Sequence, residues 1–161
     1  MENYQYRKAE RADLPEILVL QYLACQSETG MLNNFSVPSL KQTLQAIELE
    51  YRNSLILKAI DEKGRIVGSV RGYAESGSLY IGKLIVHPKL RERGIGTRLL
   101  SELERLCPQS RYELFTSSKG DADLRLYERL GYSRFKEKPL TRSLNLVFLE
   151  KLKSLEPVHL S

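Results

Sequence analysis

The sequence predicts an α/β (α+β) fold: a single mixed, mostly antiparallel sheet flanked by helices, in the order β-α-α-β-β-β-α-β-α-β-β. Three observations predict it. Residues 55–86 hold three apolar runs joined only by short turns, Asp61-Glu62-Lys63-Gly64 and Gly77-Ser78, so these strands are antiparallel neighbours. Residues 79–116 read strand, helix, strand, which sets the run at 111–116 parallel to the run at 79–86. Apolar residues recur at helical spacing in residues 14–27, 40–53, 95–107 and 122–130, which gives the sheet its cover.

Taken in order, residues 4–8 alternate aromatic and polar side chains and read as the first strand. Asp13 is placed as an N-cap, with Glu16 three residues on completing a capping box and Pro15 in the first turn. The helix that follows, 14–27, is apolar on most sides and is expected to be largely buried. Residues 30–38 form a loop. The second helix carries Leu40, Leu44, Ile47 and Tyr51 on one face and closes near Asn53.

The strand at 55–60 is nearly continuous in apolar residues, as a central strand would be. Residues 65–74 and 79–86 supply its neighbours. In the third helix Leu99, Leu100, Leu103, Leu106 and Cys107 share one face. Gly131 stands where a left-handed residue ends the fourth helix. Residues 132–136 form a strand, Pro139 marks a turn, and 144–149 form the last strand. The tail from 153 to 161 is weakly specified. No repeat or linker interrupts the chain, so residues 1–161 read as one domain.

Of 161 residues, 42% are hydrophobic and 28% charged, which suits an ordinary globular chain. The net charge of +5 would fit an anionic ligand, but bases and acids are interleaved and no dense basic run appears, so a nucleic-acid partner is not expected. Cys25 and Cys107 sit on apolar helical faces and read as buried free thiols. Two histidines and no Cys-x-x-Cys give no zinc spacing, and no metal is expected. The N-terminus lacks the apolar core of a signal peptide, and the longest apolar run, 17–25, is too short to span a bilayer, so a cytoplasmic location without a membrane partner is expected.

Two motifs carry chemistry. The first is Leu84-Ile85-Val86-His87-Pro88 followed by Arg91-Glu92-Arg93-Gly94-Ile95-Gly96-Thr97: a strand, a basic glycine-containing turn and a helix start. A helix start presents unpaired N–H groups and a partial positive charge, Gly94 and Gly96 leave room for a close approach, and Arg91 and Arg93 suit phosphate. On its own it serves equally as a tight turn with solvated charges. It is neither a dinucleotide fingerprint nor a P-loop, since the third glycine and the Lys-Ser/Thr pair are missing. The second motif is Leu126-Tyr127-Glu128-Arg129-Leu130-Gly131-Tyr132, on the last helix and its exit.

Together, in this order and separation, the two motifs resemble those of the GNAT family, the Gcn5-related N-acetyltransferases, and the element order agrees over most of the chain. The resemblance implies a GNAT-like fold and an acyltransferase that moves an acetyl group from acetyl-CoA directly to a primary amine of a small molecule or peptide. Backbone groups of Leu84, Ile85 and Val86 would pair with the pantetheine arm as an added strand, on a strand that splays from its neighbour. An N–H near Val86 would hold the developing oxyanion, and amides from Arg91, Glu92, Arg93, Gly94, Ile95, Gly96 and Thr97 would cradle the pyrophosphate. Tyr127 would act as general acid toward the departing thiolate; a phenol with a pKa of about 10 keeps its proton at neutral pH.

The sequence departs from the family pattern at three places. Glu92 stands where glycine is frequent, and Gly120, Asp121 and Asp123 stand around a common asparagine. The strand before the loop, Tyr80-Ile81-Gly82-Lys83, holds no acid, although an alkyl amine must lose a proton before attack. Glu75, or Tyr80 through water, is the candidate base. Acceptor contacts are assigned to residues 28–38, with Glu28 toward a cationic amine and Asn33, Asn34 and Phe35 lining a pocket, and to the last hairpin at 136–143. A homodimer is compatible with this reading. The alternative reading is a non-catalytic CoA-binding or regulatory module of the same fold.

Overall fold

The structure is a computed structural model that describes residues 3–27 and 42–153. Seven strands form one sheet in the order β1-β2-β3-β4-β5-β7-β6. They are β1 (Gln5–Lys8), β2 (Leu55–Ile60), β3 (Ile66–Glu75), β4 (Ser78–Val86), β5 (Arg111–Ser117), β6 (Ser133–Thr141) and β7 (Leu144–Leu152). Among the described residues the helices are α1 (Leu14–Ser27), α2 (Leu44–Asn53), α3 (Ile95–Leu106) and α4 (Asp121–Arg129). The expected element order holds throughout. All strand pairs are antiparallel except β4 with β5.

Period-two alternation divides the core into two layers. On β2, Leu57 faces a cluster with Val70, Leu99, Leu103 and Tyr112, while Ile56 faces one with Leu14, Ile17, Leu20 and Ile47. Helix α3 therefore covers one face of the sheet, and α1 with α2 covers the other. Gly68 and Gly72 on β3 let α3 approach closely: a Cβ at either would lie 3.0 Å from an Ile95 or Leu103 side chain.

Several local expectations change. The cap before α1 is a short 3-10 turn, Arg11–Asp13, in which the Glu10 N–H donates to Asp13 Oδ2 at 2.7 Å. Asp13 also pairs with Lys58, at 2.7 Å, and Glu16 reaches across to accept the Ile66 N–H at 2.8 Å rather than closing a box with Asp13. Helix α1 buries Leu14, Ile17, Leu18, Leu20 and Ala24 but leaves Val19 and Leu23 at 64% and 42% exposure, because a helix on a sheet turns one side outward. Leu44 and Leu106 are likewise exposed.

Pro139 lies inside β6, paired with Asn145, and the turn falls at Arg142 and Ser143 instead. Strand β6 is a sheet edge, where a residue without an N–H costs no ladder bond. Cys107 is a free thiol, half-buried against the core at the end of α3; the Cys25 side chain lies outside the described residues. No described helix is long and apolar enough to cross a membrane.

Candidate active site

Strands β4 and β5 pair only through Ser78, Leu79 and Tyr80 against Arg111, Tyr112 and Glu113. Beyond that, β5 continues on β7 to Ser117, and β4 continues on β3 to Val86. The two strands therefore splay, and β4 from Ile81 onward keeps a backbone edge with no β5 partner. A bulge sharpens the splay. Ser69 pairs with Ile85 and Arg71 with Gly82, so three steps on β4 match two on β3, and Lys83 within the extra step takes a left-handed φ of 53°.

The splay opens a cleft of about 800 Å³. One wall is Leu84, Ile85 and Val86; the other is Leu114, Phe115 and Thr116 of β5. The start of α3 forms one end. Pro88–Leu90 make a 3-10 turn, in which His87 Nδ1 accepts the Lys89 N–H at 3.1 Å, and Gly94 turns into the helix with φ 83°. Gly94, the N-cap residue of α3, has no side chain to cap it, and no acid lies in the helix's first turn. Its first intrahelical amide bond is Arg98 N to Gly94 O, 3.0 Å, so the Ile95, Gly96 and Thr97 amides precede the ladder and line the cleft. A Cβ at Gly96 would meet only Leu84 and Val86, each at 3.8 Å. Glu92 is exposed and holds φ 62°, the region glycine adopts freely.

Helix α4 supplies the remaining wall with Asp123, Arg125, Leu126, Tyr127 and Arg129. Its exit is a Schellman turn: Tyr132 N donates to Tyr127 O at 3.0 Å, and Gly131 N to Glu128 O at 3.1 Å, with Gly131 at φ 98°. That turn fixes Tyr127, 6% exposed, between the core and the cleft, its ring 6.2 Å from that of Tyr132. Tyr132 donates to Glu104 Oε2 at 2.8 Å, and Glu104 pairs with Lys151 at 2.8 Å. Burial, then the Glu104 charge, pushes the Tyr132 phenol far above its ordinary pKa, so Tyr132 stays a protonated structural donor behind Tyr127.

The structure thus brings Leu84, Ile85, Val86, Arg91, Glu92, Gly94, Ile95, Gly96, Thr97 and Tyr127 to one cleft. Arg93 is exposed on the same turn but does not line it. Glu75 and Tyr80 are not brought there: Glu75 is exposed at the β3–β4 turn, where it pairs with Ser78, and Tyr80 stacks on Tyr73 at 5.2 Å between ring centres. Glu28, Asn33, Asn34 and Phe35 lie outside the described residues. Sequence reading missed Phe115, Thr116, Arg125 and Arg129. The two arginines, four apart on one helix side, were the available signal. It also missed a buried polar set beside the bulge. Arg71, 4% exposed, donates to Glu50 Oε1 at 2.5 Å, to Gln42 Oε1 at 3.0 Å and to Gln21 Oε1 at 2.6 Å, and Lys83 lies 3.6 Å from Glu50. Burial pushes the Glu50 carboxyl up, but Arg71, Lys83 and the Gln42 hydrogen bond outweigh it and hold the group below the ordinary carboxylate range.

The family model described as "Acetyltransferase (GNAT) family" matches residues 19–132, which spans β4, the α3 start and α4. The chain belongs to this acetyltransferase family. Solved structures share its fold at low identity. The PaiA N-acetyltransferase of Thermoplasma acidophilum, in complex with coenzyme A, is 13% identical with a TM-score of 0.80, over 93% of this chain and 99% of that one. The ribosomal-protein-S18-alanine N-acetyltransferase of Escherichia coli is 16% identical, TM-score 0.77, over 99% of both. A phosphinothricin acetyltransferase of Sinorhizobium meliloti, in complex with acetyl-CoA, is 19% identical, TM-score 0.74, over 93% of this chain and 89% of that one.

Proposed function

We propose that this GNAT acetyltransferase takes acetyl-CoA as donor and moves the acetyl group directly to a primary amine of a small molecule or peptide. The observation that carries the reading is the conjunction, in one cleft, of the β4 edge from which β5 splays, the start of α3 behind its glycine N-cap and Tyr127. The donor fits what is present. An extended pantetheine can add to the β4 edge as a strand would. The Ile95, Gly96 and Thr97 amides, with Arg91, suit a pyrophosphate, and Gly96 leaves the approach open.

The residues divide the work. A backbone N–H near Val86 polarises the thioester carbonyl and holds its oxyanion. The amine nitrogen forms the new C–N bond as the C–S bond breaks; the amine gives up a proton, and the thiolate takes one from Tyr127. Neither Glu75 nor Tyr80 lines the cleft, so the proton from the amine leaves by another carboxylate or by water. A second reading, a CoA-binding module without turnover, is favoured by the absence of a carboxylate on β4 along the cleft. A thiol-release assay with acetyl-CoA over polyamines, amino acids, aminoglycosides and peptide amines separates the two. Turnover on any amine supports the enzyme, binding without turnover supports the module, and neither binding nor turnover refutes both.

A further inference from the structure

Three phenylalanines cluster on the last three strands of the sheet. Phe115 of β5 is opposite Phe148 of β7, and Phe148 is opposite Lys136 of β6. Residues directly opposite in an antiparallel ladder share a face. Leu114, Val147 and Leu149 alternate with this row and enter the α3 layer, so the row lies on the other face of the sheet. The Phe115 and Phe148 rings stand 5.3 Å apart, and Phe135 meets Phe148 edge-on at 6.4 Å. Phe115 and Phe135 are 43% and 39% exposed, and Phe115 also lines the cleft. An exposed aromatic patch thus runs from the cleft onto the β6–β7 hairpin, and such patches mark interaction surfaces.

The charge at the outer side of the patch sets what it fits. Lys136 Nζ lies 4.6 Å from the centre of the Phe148 ring, and Lys138 Nζ lies 5.8 Å from it. A ring face orients an ammonium without neutralising it. Among the described residues neither lysine has a carboxylate within ion-pair distance. The acids of the adjoining row, Glu113 and Glu150, are held by Arg111 at 2.8 and 2.7 Å. Strands β5, β7 and β6 are successive, so Lys136 stands two strand spacings, about 10 Å, from the cleft wall, a span that about three residues of extended peptide cover. Stacked nucleic-acid bases suit the patch less well, because its rings are tilted by 41° and 65° and the lysines lie over their faces.

We propose that this face docks a peptide acceptor whose amine enters the cleft past Phe115 while acidic side chains, about three residues from that amine, meet Lys136 and Lys138. This rests on the acetyl-transfer reading above and names the acceptor class. The test compares Lys-Gly-Glu-Glu-Gly, which offers both an α-amine and a side-chain amine, with Lys-Gly-Gln-Gln-Gly, Lys-Gly-Arg-Arg-Gly and free lysine, in acetyl-CoA-dependent thiol release. Two exposed ion pairs should give the acidic peptide about a fivefold advantage in kcat/KM over the glutamine peptide at about 50 mM salt, shrinking toward parity at about 0.5 M. Replacing both lysines, Lys136→Met with Lys138→Met, should abolish the advantage and leave acetyl-CoA affinity within threefold by calorimetry, and the paired Lys→Arg replacements should keep it. A glutamine or arginine peptide used as well as the acidic one, turnover confined to free lysine, or an advantage that survives the paired Met replacements would overturn the docking surface and leave acetyl transfer standing. Salt-dependent binding of a short RNA that the Met replacements abolish, with no preference among the peptides, would assign the patch to nucleic acid and overturn the proposal as well. No turnover on any amine would overturn both this surface and acetyl transfer.

Discussion

Replacing Gly96 with valine should separate donor binding from stability. The Cβ would lie 3.8 Å from Leu84 Cδ2 and from Val86 Cγ2, ordinary contact distances, and Gly96 is not held at positive φ, so the fold accepts the side chain. Valine is a better helix former than glycine by about 0.3 kcal/mol, which shifts Tm upward by about 1 °C in a chain of this size. Its methyl groups, however, fill the gap between β4 and the first turn of α3, where the donor's phosphates have to meet the amides. Losing one charge-assisted hydrogen bond costs about 1.5–3 kcal/mol, so the Kd for acetyl-CoA should rise about 10- to 150-fold. Calorimetry and a thermal melt on the same preparation read both quantities. An unchanged Tm with a Kd within threefold of the parent would refute the cradle.

Three further outcomes follow from the geometry. Tyr127→Phe should lower kcat at least tenfold in the thiol-release assay and spare acetyl-CoA affinity, since only the hydroxyl is removed and the ring is kept; an unchanged kcat means that another group protonates the thiolate. Glu92→Gly should raise Tm by about 2–4 °C, because a left-handed non-glycine residue at φ 62° costs about 1 kcal/mol, and should tighten acetyl-CoA by removing a carboxylate from the cleft; a lower Tm contradicts this. Glu50→Gln should cost about 2 kcal/mol at pH 7, less than for a fully buried pair because the Glu50 side chain is 32% exposed. The Glu50 pKa is depressed on folding, so its contribution is complete above the unfolded value of about 4.3 and is lost as the pH falls through the lower folded value. Urea unfolding of the two proteins should therefore converge in acid, and a constant gap would contradict the ion pair.

The elements, and the cleft walls built by β4, the start of α3 and α4, were legible because they rest on local chemistry. Alternation at Ile56 and Leu57, the short turns before and after β3, and Gly131 beyond α4 each state their role within a few residues. The charged set beside the bulge was not. The Arg71–Glu50–Lys83 set joins residues from β3, α2 and β4, and Lys83 reaches it from within a bulge, which no local pattern announces. Glu75 stood near in sequence to the missing base, but the β3–β4 turn carries it to the sheet's end. Pro139 read as a turn because its tolerance depends on β6 being an edge, a property of topology. Asp13 and Glu16 had cap-like spacing, yet Lys58 and the Ile66 N–H, distant in sequence, gave both carboxylates other partners.

Amide hydrogen exchange of the chain with and without acetyl-CoA tests the central claim most directly, because it reads the backbone groups themselves. Protection is expected at Ile95, Gly96 and Thr97 and at Leu84 and Val86, which alternate with His87 and Ile85 and so face away from β3, and it should be weaker at the latter two with a pantetheine-free nucleotide such as ADP. Saturating acetyl-CoA that leaves these amides unchanged, or protects a different surface, would contradict the placement of the donor between β4 and the start of α3.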